Sequence, residues 1–291
     1  MHIDVYLPLL LPLLAVPAVR WIADRCHPRT ATWLLIVTTV LTAAASSLSL
    51  TVLAVAEVTG VAEVPTPVGL VACVALAAVV VALCRTGFCQ VRTLRDAYDE
   101  ARLHPDTDLV VTRDDAPVAY ALPGAPGRIV VSVGMLDALT PAERQVLLAH
   151  ERAHLANRHH LFLAGAHVAA TANPLLRPLC TTMAYTVERW ADEVAADEVA
   201  DRRLTARSVG KAALATRRAV AAHAAALHVA TGPVPRRVSA LLTGPSTPRG
   251  MAFLVMTFAA AALLALISFA ALDAADDLQE VLEVTGIFFF R

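Results

Sequence analysis

Three long stretches of the chain contain no charged residue, and they constrain its fold more than any other feature. They comprise residues 31–56, 64–84 and 251–272, and each is long enough to cross a hydrocarbon layer of about 30 Å as a helix. A shorter apolar segment, 5–19, contains three prolines. We interpret it as a span rather than a cleaved signal peptide, because such peptides need a basic start and this chain has Asp4 there. The sequence therefore predicts four transmembrane helices in the plasma membrane.

The overall composition agrees with a protein embedded in a lipid bilayer. Hydrophobic residues make up 57% of the 291 positions, and the mean hydropathy is +0.60, well above that of soluble proteins. A net charge of -1 and the lack of a basic helix argue against direct binding of nucleic acid. The 5 cysteines form no C-x-x-C pair and are interpreted as free thiols.

The placement of arginine predicts which side of the membrane each loop faces. Basic residues are enriched in cytoplasmic loops, and arginines follow the first and third apolar segments, whereas the loop at 57–63 has no basic residue. The N-terminus is therefore expected outside and the long central region in the cytoplasm. The predicted parts are a three-span region (1–86), a cytoplasmic domain (87–249), a fourth span (250–272) and a short acidic extracellular tail (273–291).

The central region contains the sequence His150-Glu151-Arg152-Ala153-His154, which has the form H-E-x-x-H. On a helix, positions i and i+4 share one face, so both imidazoles can reach one zinc ion. Glu151 lies between them, where it can act as the general base of hydrolysis. A helix is expected here because Thr140-Pro141-Ala142-Glu143 has the form of a capping box with proline at its first helical position.

A catalytic zinc site of this kind needs a third protein ligand, and two later positions offer one. Glu188 is followed four residues later by Asp192, and Glu193 is followed in the same way by Asp197. In each pair the first carboxylate would bind the metal, and the second would hydrogen-bond a ligand histidine from behind. Spacing alone does not separate the two registers.

Residues 128–139, the capping box and H-E-x-x-H together resemble the BlaR/MecR type of integral-membrane gluzincin, and more distantly the HtpX type of membrane protease. Residues 187–203, VERWADEVAADEVADRR, resemble the second metal helix of these proteins, and the whole resemblance covers about 108–242. It implies an α+β, mainly helical fold in which a small sheet accompanies the two metal helices. It also implies Glu188 as the third ligand, Asp192 as its partner, and a zinc metalloendopeptidase acting on proteins or peptides.

Residues 161–180 are nearly as apolar as a span, but they cannot cross the membrane once, because Glu188 would then lie far from His154. We expect a buried core segment or a segment that enters the membrane and turns back near Asn173-Pro174. Short strands are predicted at 109–112, 118–122 and 128–133. By resemblance, either of the last two would bind an extended substrate peptide by strand addition.

Three residues are candidates for stabilising the oxyanion that develops during hydrolysis: His159, His160 and Tyr185. If the resemblance extends to biology, the substrate is a cytoplasmic transcriptional repressor. The alternatives are an HtpX-like quality-control protease and a non-catalytic membrane sensor or scaffold. The presence of Glu151 favours an enzyme, because a scaffold needs no base between its ligands. The sequence leaves homo-oligomer formation open.

Overall fold

A computed structural model describes residues 3–60, 66–103, 107–223, 234–244 and 251–284. The chain is mainly helical and contains a small three-stranded sheet, as predicted. It divides into two compact units. The first, which we call the apolar unit, comprises residues 1–89, 162–183 and 247–291, and the second, the sheet unit, comprises residues 90–161 and 184–246. The domain boundaries expected from the sequence stay a prediction.

The apolar unit is built from long hydrophobic helices: α1 (Leu7–Ala23), α2 (Pro28–Thr59), the first part of α3 (Thr66–Arg102) and α10 (Met251–Val284). Within the described residues, α2, α3 and α10 contain stretches long and apolar enough to cross a membrane. Helix α1 is shorter, with 17 residues, so its span stays a prediction. The sides on which the loops lie also stay predictions.

A helical hairpin completes the apolar unit. It consists of α6 (His159–Ala172) and the start of α7 (Arg177–Val199), joined by a short turn at Pro174–Leu176. The turn confirms the reversal expected near Asn173. Its position is fixed by a buried chain of hydrogen bonds, in which the Asn173 amide donates to the Ser46 hydroxyl at 2.9 Å and Ser46 donates to the Pro8 carbonyl at 2.9 Å. Residues 161–180 therefore form two antiparallel arms rather than one crossing.

The sheet unit contains strands β1 (Leu109–Thr112), β2 (Ala119–Leu122) and β3 (Arg128–Ser132), which confirms the three predicted strands to within one residue at either end. The strand order is β1-β3-β2. β3 pairs in parallel with β1 and antiparallel with β2, and all five of its residues are buried. β2 is therefore an edge strand of this sheet, whereas β3 has partners on both sides.

The helix that carries H-E-x-x-H is fixed by local chemistry and by packing. It is α5 (Pro141–Ala156), and both hydrogen bonds of the predicted capping box are present between Thr140 and Glu143. Glu143 also binds Lys211 of α8 (Arg202–His223) at 2.7 Å. The hydrogen bonds from Lys211 and Thr140 lower the pKa of Glu143 to about 2. The start of α5 is thus anchored to α8 as well as capped.

Two further helices belong to the sheet unit. A short helix α4 (Val133–Ala138) follows β3 directly and is capped by the Ser132 hydroxyl, and α9 (Val234–Thr243) packs against α8. Ile129, Val131, Met135 and Leu139 form a buried cluster between the sheet, α4 and α5. This core places the edge strand β2 next to α5, which is the relation that matters for the site.

Candidate metal centre

The two histidines of H-E-x-x-H point into one space. Their Nε2 atoms lie 3.1 Å apart, as expected for side chains one turn apart on α5. His150 and Glu151 are buried, and the His154 side chain is only 15% exposed. Because the rest of the turn packs against the core, neither imidazole can swing freely into solvent. The helix thus presents two nitrogen donors in a fixed direction.

Glu188, on α7, supplies the third donor. Its carboxylate oxygens lie 3.5 Å from His150 Nε2 and 3.6 Å from His154 Nε2. One ligand atom from each of the three residues falls within 4.8 Å of the others. Two imidazole nitrogens and one carboxylate oxygen form the donor set of a catalytic zinc site, in which a fourth position is kept for water or substrate. The donor chemistry and its spacing fit a zinc ion.

The alternative register at Glu193 is not part of this group. Glu193 is buried on another face of α7, where its carboxylate accepts hydrogen bonds from Arg202 at 2.6 and 3.0 Å. Its partner in that register, Asp197, is exposed. The geometry therefore places Glu188, and not Glu193, beside the histidines.

Each histidine is held from behind through its other ring nitrogen. His150 Nδ1 lies 3.1 Å from Asp192 Oδ1, and His154 Nδ1 lies 3.0 Å from His159 Nδ1. His159 in turn is buried against the Trp190 ring, with the ring centroids 4.8 Å apart. Such contacts fix the tautomer and ring orientation of metal-binding histidines. Asp192 lies behind His150 as expected from the sequence, but His150 Nδ1 makes no hydrogen bond within the described residues. His159 contacts His154 and does not line the cavity.

The other two oxyanion candidates do not line the cavity beside the donors within the described residues. Tyr185 packs beneath the guanidinium of Arg236, 4.4 Å from the ring centroid. Neither Tyr185 nor His160 lines the cavity beside the three donors within the described part of the sheet unit. Their role in stabilising an oxyanion stays a prediction.

Arg237 is a site residue that sequence reasoning missed. It lies on α9, with its side chain only 11% exposed. Its guanidinium binds both oxygens of Asp192 at 2.7 Å and contacts Glu188 Oε2 at 2.7 Å. The resemblance over residues 108–242 gave Arg237 no role. No motif spacing links it to residues more than forty positions earlier, so only the tertiary packing shows its role.

The charges of the centre are strongly coupled. Burial alone would lower the pKa of His150, but its contacts with Asp192 and Glu188 raise the pKa to about 10. Burial and the positive charge of His150 lower the pKa of His154 to about 4. Burial alone would raise the pKa of Glu188, yet His150 and Arg237 lower it to about 2. At neutral pH, His150 must therefore lose a proton before it can bind a metal, so metal binding is expected to release protons.

Glu151 lies beside the donors, next to the edge strand β2. The backbone N–H of Ala121, on β2, lies close enough to this carboxylate to lower its pKa. Burial raises the pKa of Glu151 above its usual value, against the opposing effect of His150 and Arg237. A carboxylate with a raised pKa accepts a proton more readily, which suits a general base.

A cavity of about 330 Å³ opens in front of the donors. Its polar end is formed by His150, Glu151, Glu188 and Arg237, and the remainder is largely apolar. The apolar lining includes Val118, Ala119, Met135, Val146, Leu147, Val209, Ala212 and Ala213. The combination of reactive polar groups and an apolar wall is typical of an enzyme active site.

Arg237 is expected to position Glu188 and Asp192 for metal binding. Arg237→Gln removes the charge that pairs with both carboxylates. Zinc affinity is therefore expected to fall by about 10- to 100-fold, as it does when other residues that contact a metal ligand are replaced. Competition with a chromophoric chelator measures this change. Arg236→Gln is the matched control, because Arg236 is the adjacent residue in the chain and stacks on Tyr185. Equal zinc affinity in the Arg237→Gln variant and the wild type would contradict this role.

An H-E-x-x-H helix and a glutamate from a later helix thus form a group that could hold a metal ion, and an edge strand lies beside it. Residues 89–172 match the model of Peptidase family M48, whose members are zinc-dependent in general. Among curated proteins, "Protease HtpX homolog 2" of Methanosarcina acetivorans is 36% identical over 69 residues, which are 23% of this chain and 24% of that protein. The chain thus covers about a quarter of the relative's length. A comparison with solved structures gave no significant match.

These two matches support a membrane zinc metallopeptidase related to HtpX. Of the two resemblances seen in the sequence, both matches support the one to the HtpX type and neither is to the BlaR/MecR type. The family match covers H-E-x-x-H but ends before Glu188, so the assignment of the third ligand depends on the geometry of the site.

Proposed function

We propose that this protein is a membrane-bound zinc-dependent endopeptidase. The observation that carries the proposal is the convergence of His150, His154 and Glu188 within 4.8 Å, with Glu151 beside them at the polar end of a cavity. A structural zinc site is normally closed by four protein ligands, and it needs neither a buried base nor an open cavity.

A zinc ion held by these three side chains would polarise a peptide carbonyl and make a bound water more acidic. Glu151 takes a proton from the attacking water and later delivers it to the leaving amine. Asp192 and His159 hold the two imidazoles in the orientation that directs both Nε2 atoms to one point. Arg237 holds Glu188 and balances the negative charge of the two carboxylates.

The edge strand β2 is the proposed binding surface for the substrate backbone. The N–H of Ser132 binds the Val118 carbonyl, and hydrogen-bonded pairs alternate along antiparallel strands. The backbone groups of Ala119 and Ala121 therefore point away from β3, toward the free edge. Ala121 already contacts Glu151 there. An extended peptide paired with this edge would pass the base, and its apolar side chains could enter the adjacent cavity.

The sequence allowed two strands for this role, and the geometry favours one. β3 is paired along both edges, so its backbone groups are not available to a peptide. Tyr120 of β2 and Val118, directly before the strand, are exposed, and β2 is close to α5. Substrate pairing with β2 is therefore the arrangement that we propose.

Metal removal tests the proposed activity. Protein purified in detergent is expected to cleave unfolded casein or its own exposed segments, to lose this activity with 1,10-phenanthroline, and to regain it when zinc is added to the dialysed protein. Magnesium is the control, because it prefers oxygen ligands. A zinc-loaded protein that hydrolyses neither casein nor itself would favour the non-catalytic sensor or scaffold.

The role in the cell is a further part of the proposal. The arginine distribution supports a cytoplasmic site, and the BlaR/MecR resemblance supports cleavage of a transcriptional repressor. The HtpX relationship favours membrane quality control as the second candidate. Proteomics of cells that express either wild type or Glu151→Gln tests both roles. Stabilisation of one or a few cytoplasmic DNA-binding proteins supports regulated proteolysis, whereas a broad rise in misfolded membrane proteins supports quality control. Stabilised extracytoplasmic substrates would contradict the cytoplasmic orientation.

A further inference from the structure

The apolar part of the cavity beside the metal donors begins one helical turn before them on α5. Val146 and Leu147 line this part, and they precede His150 and Glu151 by four residues each. One turn of an α-helix is about 5.4 Å long. When a peptide bond lies at the polar end, the side chain directly next to that bond is therefore close enough to enter the apolar part.

Helix α8 forms a second wall of the apolar part. Four of its residues line the cavity, with the spacing i, i+3, i+4 and i+7: Val209, Ala212, Ala213 and Thr216. This spacing places them on one face of the helix. The helix packs against α5 and α4, and the Thr216 hydroxyl donates to the Pro117 carbonyl, before β2, at 3.2 Å. These contacts hold α8 in place, so the two alanines leave open space in front of them.

The apolar part offers no partner for a charged substrate side chain. In the described part of the sheet unit, the titratable residues that line the cavity are the four at its polar end. Two hydroxyl groups of α8 also line it, but both already donate to backbone carbonyls, Ser208 to Leu204 at 2.8 Å and Thr216 to Pro117. Because burial of a charge without a partner is costly, this space favours an apolar side chain.

The volume of the cavity determines how large that side chain is. The whole cavity measures about 330 Å³, and a cavity of about 150 Å³ already holds a benzene ring. Beyond the peptide bond there is thus room for a leucine or phenylalanine side chain. Ala212 also packs against the buried cluster that contains Ile129 and Val131. The half-buried Ala213 is therefore the position on α8 where the space can be filled with least effect on the core.

We propose that Ala213 determines the size of the substrate side chain next to the scissile bond, and that preferred substrates have a large aliphatic or aromatic residue there. Ala213 has no side-chain atom beyond Cβ, so the substrate side chain occupies the space in front of it, between α5 and α8. This inference rests on the proposed function, because it requires a peptide that lies along β2.

Hydrolysis of a peptide series by the zinc-loaded, full-length protein in detergent tests this assignment. The peptides differ only in the residues that flank the scissile bond, which are varied one at a time to phenylalanine, leucine, alanine or lysine. On one side of the bond, we expect kcat/KM for phenylalanine and leucine to exceed that for alanine by at least about tenfold, a usual effect of filling an apolar pocket. Lysine should be the poorest, because its charge has no partner there.

Variants of α8 locate the preference. Ala213→Leu fills the space, so the alanine peptide should become a better substrate than the phenylalanine peptide. Ala213→Val fills less of it and should reduce the preference for phenylalanine, which keeps the test decisive if the leucine variant does not fold. Ala215→Leu is the matched control, because Ala215 lies on α8 but does not line the cavity, and it should keep the wild-type order. Hydrolysis without preference in the wild type, or the wild-type order in both Ala213 variants, would overturn the proposal.

Peptide binding separates this inference from the peptidase activity. Fluorescence anisotropy measures the affinity of the same peptides, carrying a dye, for zinc-loaded Glu151→Gln protein, which lacks the base. If the wild type hydrolyses none of the peptides, binding alone decides. Tighter binding of the phenylalanine peptide than of the alanine and lysine peptides, lost when Ala213→Leu is added, would support the assignment while the proposed function fails. Binding without this preference would overturn both.

Discussion

The Glu151→Gln variant is expected to keep its zinc and its fold but to lose about 10²- to 10⁴-fold in kcat/KM, the usual contribution of a general base. The amide has nearly the shape of the carboxylate and can still contact Ala121, but it cannot accept the proton of the attacking water. Burial raises the pKa of Glu151, so the wild-type residue is a stronger base than an exposed glutamate. The measurement is hydrolysis of unfolded casein by zinc-loaded protein.

The control for this variant is Glu198→Gln, the same substitution on α7, where Glu198 forms an exposed ion pair with Arg152. Exposed pairs of this kind contribute about 0–1 kcal/mol, so both activity and stability should remain near those of the wild type. Equal zinc content in all three proteins, measured by elemental analysis, ensures that only the base has changed. Comparable cleavage by Glu151→Gln and the wild type would remove Glu151 from the mechanism.

The Glu188→Ala variant is expected to lose zinc on purification, as are His150→Ala and His154→Ala. The three donors converge within 4.8 Å, and removal of any one leaves only two protein ligands. Loss of a residue that only contacts a metal ligand lowers metal affinity by about 10- to 100-fold. Loss of a ligand itself should therefore have a larger effect. Zinc per chain and affinity in chelator competition measure the result.

The Glu193→Ala variant tests whether Glu188 or Glu193 is the third metal ligand. It removes the partner of Arg202 and should lower the free energy of unfolding by about 1–3 kcal/mol, because a charged hydrogen-bond donor loses its acceptor. Its zinc affinity should nevertheless remain that of the wild type. Glu193→Gln, which keeps an acceptor for Arg202, provides a milder version if the alanine variant is too unstable. Retention of zinc by Glu188→Ala together with its loss from Glu193→Ala would reverse the assignment.

The sequence alone determined the features that depend on short spacing. His150 and His154 share a face because four residues make about one helical turn, and the start of their helix was readable from Thr140 and Glu143. The long apolar helices followed from the absence of charge over more than twenty residues, since such a stretch can hardly be anything else. The turn at Asn173 was predictable because Pro174 cannot continue the preceding helix. In each case the physical cause lies within a few residues of its effect.

The tertiary structure decided the features that depend on contacts between distant segments. Glu188 and Glu193 have identical spacing to their aspartates, and they differ only because Arg202 neutralises one while the histidines face the other. Arg237 closes the centre from a separate helix, and no periodicity in the sequence connects it to Asp192. The strand order made β2 the edge and β3 the centre, which no local pattern records. Sequence spacing places donor residues on one face of a helix. Only the packing of helices determines which charged side chains meet in the protein interior, where an unpaired charge is costly.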